Sequence, residues 1–417
     1  MKVLWITNIE LPVIAERFNR SVFAGGWMHQ SSILLSKEKE IELHISSMNS
    51  ESYEEVYIDN ILYSAFEDNG DKNKTKNQLN RLLSKINPDI IHIWGTEYYH
   101  SLAALEILKD LGKADRTVVS IQGLVYYYSN YHYNAFLPDA VVKGYTFRDF
   151  CKRDNINTRK NQMIEAGENE LRAISMAKNC IGRTDWDHAC VKLINNDIHY
   201  YYCNEILRGS FYKAEWRYED CNKHSVFFSQ ATYPIKGFHL ALEAFAIVKK
   251  RYPDLRIRVL GKDLKESFDS YIRDDTYQRY LRKLIRKNDL SENITWLGML
   301  SEKEMVKEYC SASVFVCSSS IENSSNSICE AMLLGVPVIA SDVGGIKSMM
   351  EHQKEGIIYQ PDAPYMLAYH IMELFENKDY SISLGENARK RALNDHDPEK
   401  NIEKLMTIYR KIDASAD

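Results

Sequence analysis

The chain has 417 residues, of which 45% are hydrophobic and 27% charged, and its net charge is −5 at neutral pH. This length exceeds what one hydrophobic core usually serves, so we expect two domains. The slight negative balance argues against nucleic acid as the main partner, because binding to a phosphate backbone needs a basic surface.

The cysteines and the apolar runs predict a reducing, cytoplasmic setting. The eight cysteines show no C-x-x-C pair, and several lie in apolar runs where reduced cysteine acts as a small hydrophobic residue. We therefore expect neither a zinc site nor a disulfide framework. The N-terminal run reads as a buried strand rather than a signal peptide, and no run approaches the roughly 20 apolar residues that span a bilayer. Any membrane contact would be peripheral, on the cytoplasmic face.

Short β-rich runs alternate with amphipathic helical patterns along the whole chain. In the first half the pattern predicts strands at 3–7, 41–46, 55–58, 89–93 and 117–121, and helices at 26–36, 77–86 and 102–111. In the second half it predicts strands at 225–229, 255–260, 294–297, 314–317, 336–340 and 356–359. Such alternation is typical of parallel sheets with helices on both faces, so the predicted fold class is α/β.

The polar, irregular stretch 204–224 separates the two series of elements. We predict an N-terminal Rossmann-like domain over residues 1–205 and a C-terminal one over residues 206–398. The last helix, about 399–417, is expected to pack back onto the first domain. A ligand cleft is expected between the two domains.

A Ser/Asn-rich loop in the window Ser318–Asp342 carries the first candidate site. Glu322 and Glu330 stand there between a predicted strand and a predicted helix, where open α/β sheets bind phosphorylated ligands. Two carboxylates at such a crevice suit the binding of sugar hydroxyls. Ser327 and Glu330 also fit an S-x-x-E capping box, which needs no function. These residues alone leave the functional and structural interpretations of Glu330 open.

A lysine and a glycine form the second candidate site, after the predicted strand 225–229. In isolation, Lys236-Gly237 is best explained as a surface lysine beside a turn. A lysine at the carboxyl end of a strand is nevertheless well placed to neutralise a leaving diphosphate.

Together these motifs resemble family 4 of the glycosyltransferases, the retaining enzymes of the GT-B fold, in which two Rossmann-like domains face each other across a cleft. The E-x7-E of Glu322 and Glu330 continues into EAMLLGVPVIASDVGG, and Lys236-Gly237 precedes it in the family's order. Further matches are Leu297-Gly298, Ala24-Gly25-Gly26, the SIQG of Ser120–Gly123 and the IGRTDWD of Ile181–Asp187. The resemblance runs from about residue 1 to residue 375.

The resemblance implies a role for each matching residue. Lys236 would stabilise the diphosphate, Glu322 would hold hydroxyls of the donor sugar, and Glu330 would hold the nucleotide ribose. The remaining implied donor contacts are Gly25 and Gly26, in a loop close to the phosphates or the acceptor, and the amides near Asn326 and Ser327.

The sequence departs from the family pattern at two places. Gln230 and Ala231 stand where many members have an arginine, so Arg183 is a candidate to supply the missing charge. Gln122 stands where a histidine is common; a glutamine is no general base and would only hydrogen-bond the donor sugar or the acceptor. His132 is a weak acceptor-side substitute, although a loop histidine among tyrosines explains it more simply.

Two further features are less specific. Asp185-Trp186-Asp187 matches the D-x-D of metal-dependent glycosyltransferases but lies late in the first half, not where that class has it. We interpret it as structural, or at most as a cleft contact, and the resemblance to family 4 implies no metal. The Tyr-rich stretch 123–161 fits an acceptor groove or a membrane surface, and a packed loop with a solvated basic face explains it nearly as well.

The sequence thus predicts a retaining, metal-independent glycosyltransferase without a cofactor. It would transfer a hexose or N-acetylhexosamine from a nucleoside-diphosphate sugar to a saccharide or lipid-linked acceptor in polysaccharide or glycolipid assembly. Two alternatives stay open: a sugar-nucleotide epimerase of the same architecture, and a non-catalytic sugar-nucleotide-binding subunit.

Overall fold

A computed structural model describes residues 1–20, 26–49, 55–67, 71–264 and 270–415, with only the backbone for 270 and 271. The chain forms two units. The first comprises Met1–Tyr126, Glu165–Arg208 and Asp395–Asp417, and the second comprises Tyr127–Ile164 and Gly209–Asn394.

Strands and helices alternate along both units. The strands are β1 (Lys2–Thr7), β2 (Glu42–Asn49), β3 (Val56–Ile58), β4 (Ile61–Glu67), β5 (Ile90–Trp94), β6 (Thr117–Ser120), β7 (Asn179–Gly182), β8 (His199–Tyr202), β9 (Ser225–Phe228), β10 (Arg256–Val259), β11 (Ile294–Trp296), β12 (Val314–Cys317), β13 (Val338–Ser341) and β14 (Ile357–Tyr359). The helices are α1 (Pro12–Arg17), α2 (Gly26–Leu35), α3 (Lys72–Ile86), α4 (Tyr99–Asp110), α5 (Val125–Tyr127), α6 (Asp139–Val142), α7 (Phe147–Lys152), α8 (Ile156–Met176), α9 (Asp185–Ile194), α10 (Gly209–Lys213), α11 (Phe238–Arg251), α12 (Ser270–Arg273), α13 (Thr276–Lys287), α14 (Glu302–Ser311), α15 (Asn326–Leu334), α16 (Ile346–Met349), α17 (Pro364–Glu376), α18 (Lys378–Asp395) and α19 (Pro398–Ser415). Among the described residues, no helix is both long and apolar enough to cross a bilayer.

The first unit is built on an eight-stranded sheet in the order β3-β4-β2-β1-β5-β6-β7-β8, parallel except for β3. Its central strands are continuous apolar runs: β5 is buried at every position, and so is β1 after its first residue. Strands that are buried on both faces take such runs because helices cover each side of the sheet. The predicted parallel α/β architecture is therefore confirmed for this unit.

A buried hydrogen-bond network ties α19 to the first sheet. The Tyr409 hydroxyl accepts from Trp5 Nε1 at 3.0 Å and bonds to His92 Nδ1 at 2.6 Å, and His92 Nε2 bonds to Ser120 Oγ at 2.7 Å. Burial lowers the pKa of His92 to about 3, so its ring stays neutral. The network joins the end of the chain to the first, fifth and sixth strands.

The second unit is built on a six-stranded parallel sheet in the order β11-β10-β9-β12-β13-β14. Counted within the unit, this is the order 3-2-1-4-5-6 of dinucleotide-binding domains. Strand β9 pairs with β10 on one side and with β12 on the other, so the order of the strands reverses between β9 and β12. The loops that follow β9 and β12 therefore diverge at the carboxyl edge, and ligands bind in such a crevice.

The structure differs from the predicted domain limits in one segment. We predicted residues 127–164 within the first domain, but they belong to the second unit. Asp149 is fully buried and accepts from Thr276 Oγ1 at 2.6 Å, and Arg159 Nη1 donates to Asp275 at 3.1 Å. These bonds hold the segment to the start of α13.

Candidate active site

The loop after β9 brings Lys236 to the loop after β12. It ends in a 3₁₀ turn, Pro234–Lys236, and Gly237 then starts α11 with a φ of 68°. A Cβ atom at Gly237 would lie 1.8 Å from the Ser318 carbonyl oxygen, and Ser318 Oγ donates to the Gly237 carbonyl at 2.8 Å. Only glycine combines this left-handed conformation with this close approach. The K-G pair is therefore a contact between the two loops.

Lys236 and Glu322 form an ion pair at the junction of these loops. Lys236 Nζ donates to Glu322 Oε1 at 2.6 Å, and Ser319 Oγ donates to the same oxygen at 2.7 Å. The side chains are 22% and 10% exposed, respectively. Burial by itself would lower the pKa of Lys236, but attraction to Glu322 outweighs it and the pKa is raised. The lysine therefore stays protonated, and part of its side chain remains accessible to solvent.

The glycine pair after β13 fixes the backbone of Glu322. The Gly345 N–H donates to the Glu322 carbonyl at 3.0 Å. Gly344 has a φ of 49°, and a Cβ atom there would lie 2.0 Å from the same carbonyl oxygen. Ser341 Oγ donates to the Ser319 carbonyl at 2.6 Å. The DVGG segment thus positions the Glu322 loop.

Helix α15 begins two residues earlier than the capping box of Ser327 and Glu330 predicts. Its N-cap is Ser325, whose side chain makes no capping hydrogen bond, and Asn326 is the first helical residue. Ser327 therefore lies in the first turn, with its hydroxyl 3.0 Å from the Ser325 hydroxyl. The predicted capping box of Ser327 and Glu330 is wrong, because Ser327 is already helical. Glu330 is buried, at 5% exposure, in the second turn.

His132 lies beside the Glu322 loop and belongs to the second unit. It ends a π-helical turn, Tyr128–His132, and its carbonyl accepts from Ser320 Oγ at 3.1 Å. Burial lowers the pKa of the His132 imidazole. The sequence predicts this residue on the acceptor side, within the N-terminal domain, but it belongs to the second unit, with its backbone next to the Glu322 loop.

In the first unit, Gln122 and Arg183 contact each other at the ends of neighbouring strands. Arg183 Nη2 donates to the Ile121 carbonyl at 3.0 Å and to Gln122 Oε1 at 3.4 Å. The guanidinium also pairs with Glu205, and the two side chains are only 3% and 5% exposed. Gln122, Arg183, Glu205 and Trp94 line one cavity of this unit. The charge of Arg183 is thus balanced within its own unit.

The predicted glycine loop is described at one of its two positions. Gly26 is the first residue of α2, and a Cβ atom there would lie 2.9 Å from Arg208 Cδ. This close approach gives Gly26 a packing role in the first unit. Gly25 lies outside the described residues.

The D-x-D segment serves the start of α9. The Asp187 N–H donates to Thr184 Oγ1 at 3.1 Å, and Asp187 Oδ2 accepts from the Arg183 N–H at 3.0 Å. Asp187 is fully buried. A carboxylate that is used in this way by a capping box is structural.

Comparison with known proteins shows a family match within the second unit. Residues 218–391 match the family described as Glycosyl transferases group 1. The match covers less than half of the chain and lies within the second unit. The matched range contains Lys236, Glu322 and Glu330, whereas Gln122 and Arg183 lie outside it.

Curated relatives match less than half of the chain. The chain is 27% identical over 184 residues to D-inositol 3-phosphate glycosyltransferase of Corynebacterium urealyticum, which covers 43% of this chain and 41% of that protein. It is 26% identical over 180 residues to spore coat protein SA of Bacillus subtilis, covering 42% and 46%. The chain thus spans less than half the length of these relatives.

Solved structures share the fold over the whole chain. Sucrose-phosphate synthase of Thermosynechococcus elongatus superposes with a TM-score of 0.69 at 14% identity, covering 100% of both chains. The Anabaena HepE protein in complex with UDP-glucose gives 0.68 at 14% identity, covering 99% of this chain and 100% of that one. At this identity the likeness shows the fold alone, and the GT-B fold class predicted from the sequence is confirmed.

Sequence reasoning missed two groups of residues. Ser319 donates a hydrogen bond to the same Glu322 oxygen that Lys236 contacts. The run of serines in this loop was the only sequence signal for that contact. In the first unit, Glu170 accepts from Thr96 Oγ1 at 2.5 Å and from the Tyr126 N–H at 2.9 Å. Burial raises the pKa of Glu170 to about 8. No sequence pattern indicated this cluster, because its members are distant in the chain.

Proposed function

We propose that the chain is a retaining, metal-independent glycosyltransferase. It moves a hexose or N-acetylhexosamine from a nucleoside-diphosphate sugar to a hydroxyl of a saccharide or lipid-linked acceptor, in polysaccharide or glycolipid assembly. One observation carries the proposal: the Lys236–Glu322 ion pair stands where the loops after β9 and β12 diverge. This crevice lies within the range that matches the group 1 glycosyltransferases.

The pair supplies the two kinds of contact that a sugar diphosphate needs. The protonated Lys236 neutralises charge that develops on the diphosphate, and the unshared oxygen of Glu322 accepts from donor-sugar hydroxyls. The first turn of α15 adds backbone N–H groups at Asn326 and Ser327, where a helix favours anions. Glu330 is assigned to the ribose by family resemblance.

In the proposed reaction, the transfer is a front-face substitution. The bond between the anomeric carbon and the diphosphate oxygen breaks, and a bond to the acceptor oxygen forms on the same face. The acceptor proton passes to the departing diphosphate. Because the leaving group takes this proton, the route needs no general base at Gln122.

The ligands bound to two structural neighbours support the donor class. HepE is described in complex with UDP-glucose, and TarM with UDP and α-GlcNAc-glycerol. We infer a nucleoside-diphosphate sugar for this chain as well. Thermal unfolding with UDP-, GDP- and ADP-sugars tests the inference, since a ligand at 100 times its Kd adds roughly 2.7 kcal/mol of stability.

The decisive experiment measures both binding and turnover with the stabilising donor. Radiolabelled sugar should pass to an acceptor, with retention at the anomeric carbon and no loss of rate in a chelator. A new sugar isomer formed from donor alone would instead indicate the epimerase. Tight donor binding without turnover across an acceptor panel would indicate the non-catalytic subunit.

A further inference from the structure

Helix α7 turns a set of large apolar side chains to the solvent. Phe147 and Phe150, one helical turn apart, are 62% and 72% exposed, and the preceding Tyr145 is 56% exposed. Helix α12 lies against α7 and adds Ile272, at 54% exposure. We call these four residues the aromatic surface. Single exposed apolar residues are ordinary, but a cluster of them marks an interaction site.

The packing of α7 fixes this orientation. Asp149 lies on the opposite side of the helix, is fully buried, and accepts from Thr276 and from the Thr146 N–H. A Cβ atom at Gly144 would lie 2.6 Å from Thr276 Cγ2, so the chain just before α7 is held closely as well. Phe147 and Phe150 therefore cannot turn inward while these contacts persist.

Four basic residues at and after α7 fall into two groups. Arg148 and Arg159 lie inward and pair with Asp154 at 2.9 Å and 2.7 Å. Lys152 and Arg153, which follow Phe150 and Cys151 in the chain, are exposed. Arg148 and Arg159 thus stabilise the segment, whereas Lys152 and Arg153 lie next to the aromatic surface in the chain.

We propose that the aromatic surface docks onto an anionic lipid bilayer. Phenylalanine and tyrosine rings beside lysine and arginine suit the boundary between acyl chains and negative headgroups. The positive charge of Lys152 and Arg153 favours a negatively charged partner. Among such partners, a lipid bilayer also binds exposed aromatic rings, because they insert between its headgroups. The proposal does not depend on the transfer activity.

Sedimentation of the full chain with vesicles tests the proposal. The protein should pellet with vesicles of phosphatidylcholine and phosphatidylglycerol and stay in solution with phosphatidylcholine alone. Phe147→Ser with Phe150→Ser should weaken binding at least about tenfold, because each ring contributes buried apolar area. Lys152→Ala with Arg153→Ala should weaken it by about tenfold and reduce its salt sensitivity.

A matched control comes from α17 of the same unit. Tyr365 and Tyr369 are 62% and 53% exposed on a helix without lysine or arginine. Tyr365→Ser with Tyr369→Ser should bind vesicles like the wild type. Circular dichroism and thermal unfolding check that each variant is folded, and the charge variant tests the surface even if the phenylalanine variant unfolds.

Three results would overturn the proposal. The first is failure of the wild type to bind anionic vesicles. The second is equal loss of binding in the α17 control. The third is a wild-type dimer that Phe147→Ser with Phe150→Ser converts to a monomer without changing vesicle binding, which would make the occupant a second copy of the chain.

Discussion

The two sheets carry charged pairs at their carboxyl edges, and the pairs differ in how they meet solvent. In the second unit, Lys236 and Glu322 are 22% and 10% exposed and keep a side open to a ligand. In the first unit, Arg183 and Glu205 are 3% and 5% exposed, and Arg183 also holds the Ile121 carbonyl.

This difference indicates where charge is available for chemistry. A buried pair with further backbone partners mainly holds its surroundings in place, since removing one member leaves the other uncompensated. A half-open pair can exchange one partner for a ligand. We therefore expect the positive charge that acts on a diphosphate to come from the second unit.

The largest expected effect follows from removing the open cation. Lys236→Ala should lower the transfer rate by about 10²–10³-fold, the usual loss when one charge-stabilising group is removed. Lys378→Ala is the matched control, because Lys378 contacts Glu219 at the same 2.6 Å but is 50% exposed. Transfer assays on both variants check this, and a Lys236→Ala rate within a few-fold of wild type would contradict the assigned role.

The buried pair should affect stability instead. Arg183→Met should cost about 3–5 kcal/mol of unfolding free energy, because Glu205 is left buried without its cation. Adding Glu205→Gln should restore part of this loss, and donor affinity should stay the same. Urea unfolding and donor titration measure the two quantities. Weaker donor binding with unchanged stability would favour the donor role that the sequence suggested for Arg183.

The contact between the two loops of the second unit is tested through its glycine. Gly237→Ala should cost more than about 2 kcal/mol and reduce transfer, because the new methyl group meets the Ser318 carbonyl in a left-handed conformation. Gly298→Ala is the control: Gly298 has nearly the same φ, +66°, and no atom of the described residues lies within 4 Å of the added one. It should cost only about 1 kcal/mol and leave transfer unchanged. If thermal unfolding shows equal losses of stability for the two variants, backbone strain alone explains the loss, and the contact with Ser318 does not contribute.

The last prediction concerns the buried carboxyl of the first unit, whose effect on stability is the smallest when it is expressed per pH unit. Burial raises the pKa of Glu170 from 4.5 to about 8, so the folded state keeps a proton that the unfolded chain releases. This contribution to stability is complete below about pH 4.5 and is lost as the pH rises to about 8, by at most about 1.4 kcal/mol per pH unit. Glu170→Gln should remove the slope, as urea unfolding at several pH values would show. An unchanged slope would mean that other groups cause it.

The sequence predicted correctly those features that depend on residues close together in the chain. The alternation of apolar runs predicted the α/β class, and Lys236, Gly237, Glu322 and the DVGG segment stood in recognisable order. It could not show which arginines face inward, since Arg148 and Lys152 belong to one basic run. It also misplaced the start of α15, because Ser325 and Ser327 are equally good caps by type.

By itself, the sequence determined the two parallel sheets and the loops that carry the candidate site, because period and turn chemistry are local properties. Only the tertiary structure decided that residues 127–164 belong with the second unit, that Arg183 is enclosed with Glu205, and that Lys236 meets Glu322. These outcomes depend on contacts between residues far apart in the chain, and burial then fixes which charges remain available. The same residue types therefore hold the fold in one unit and stand open to a ligand in the other.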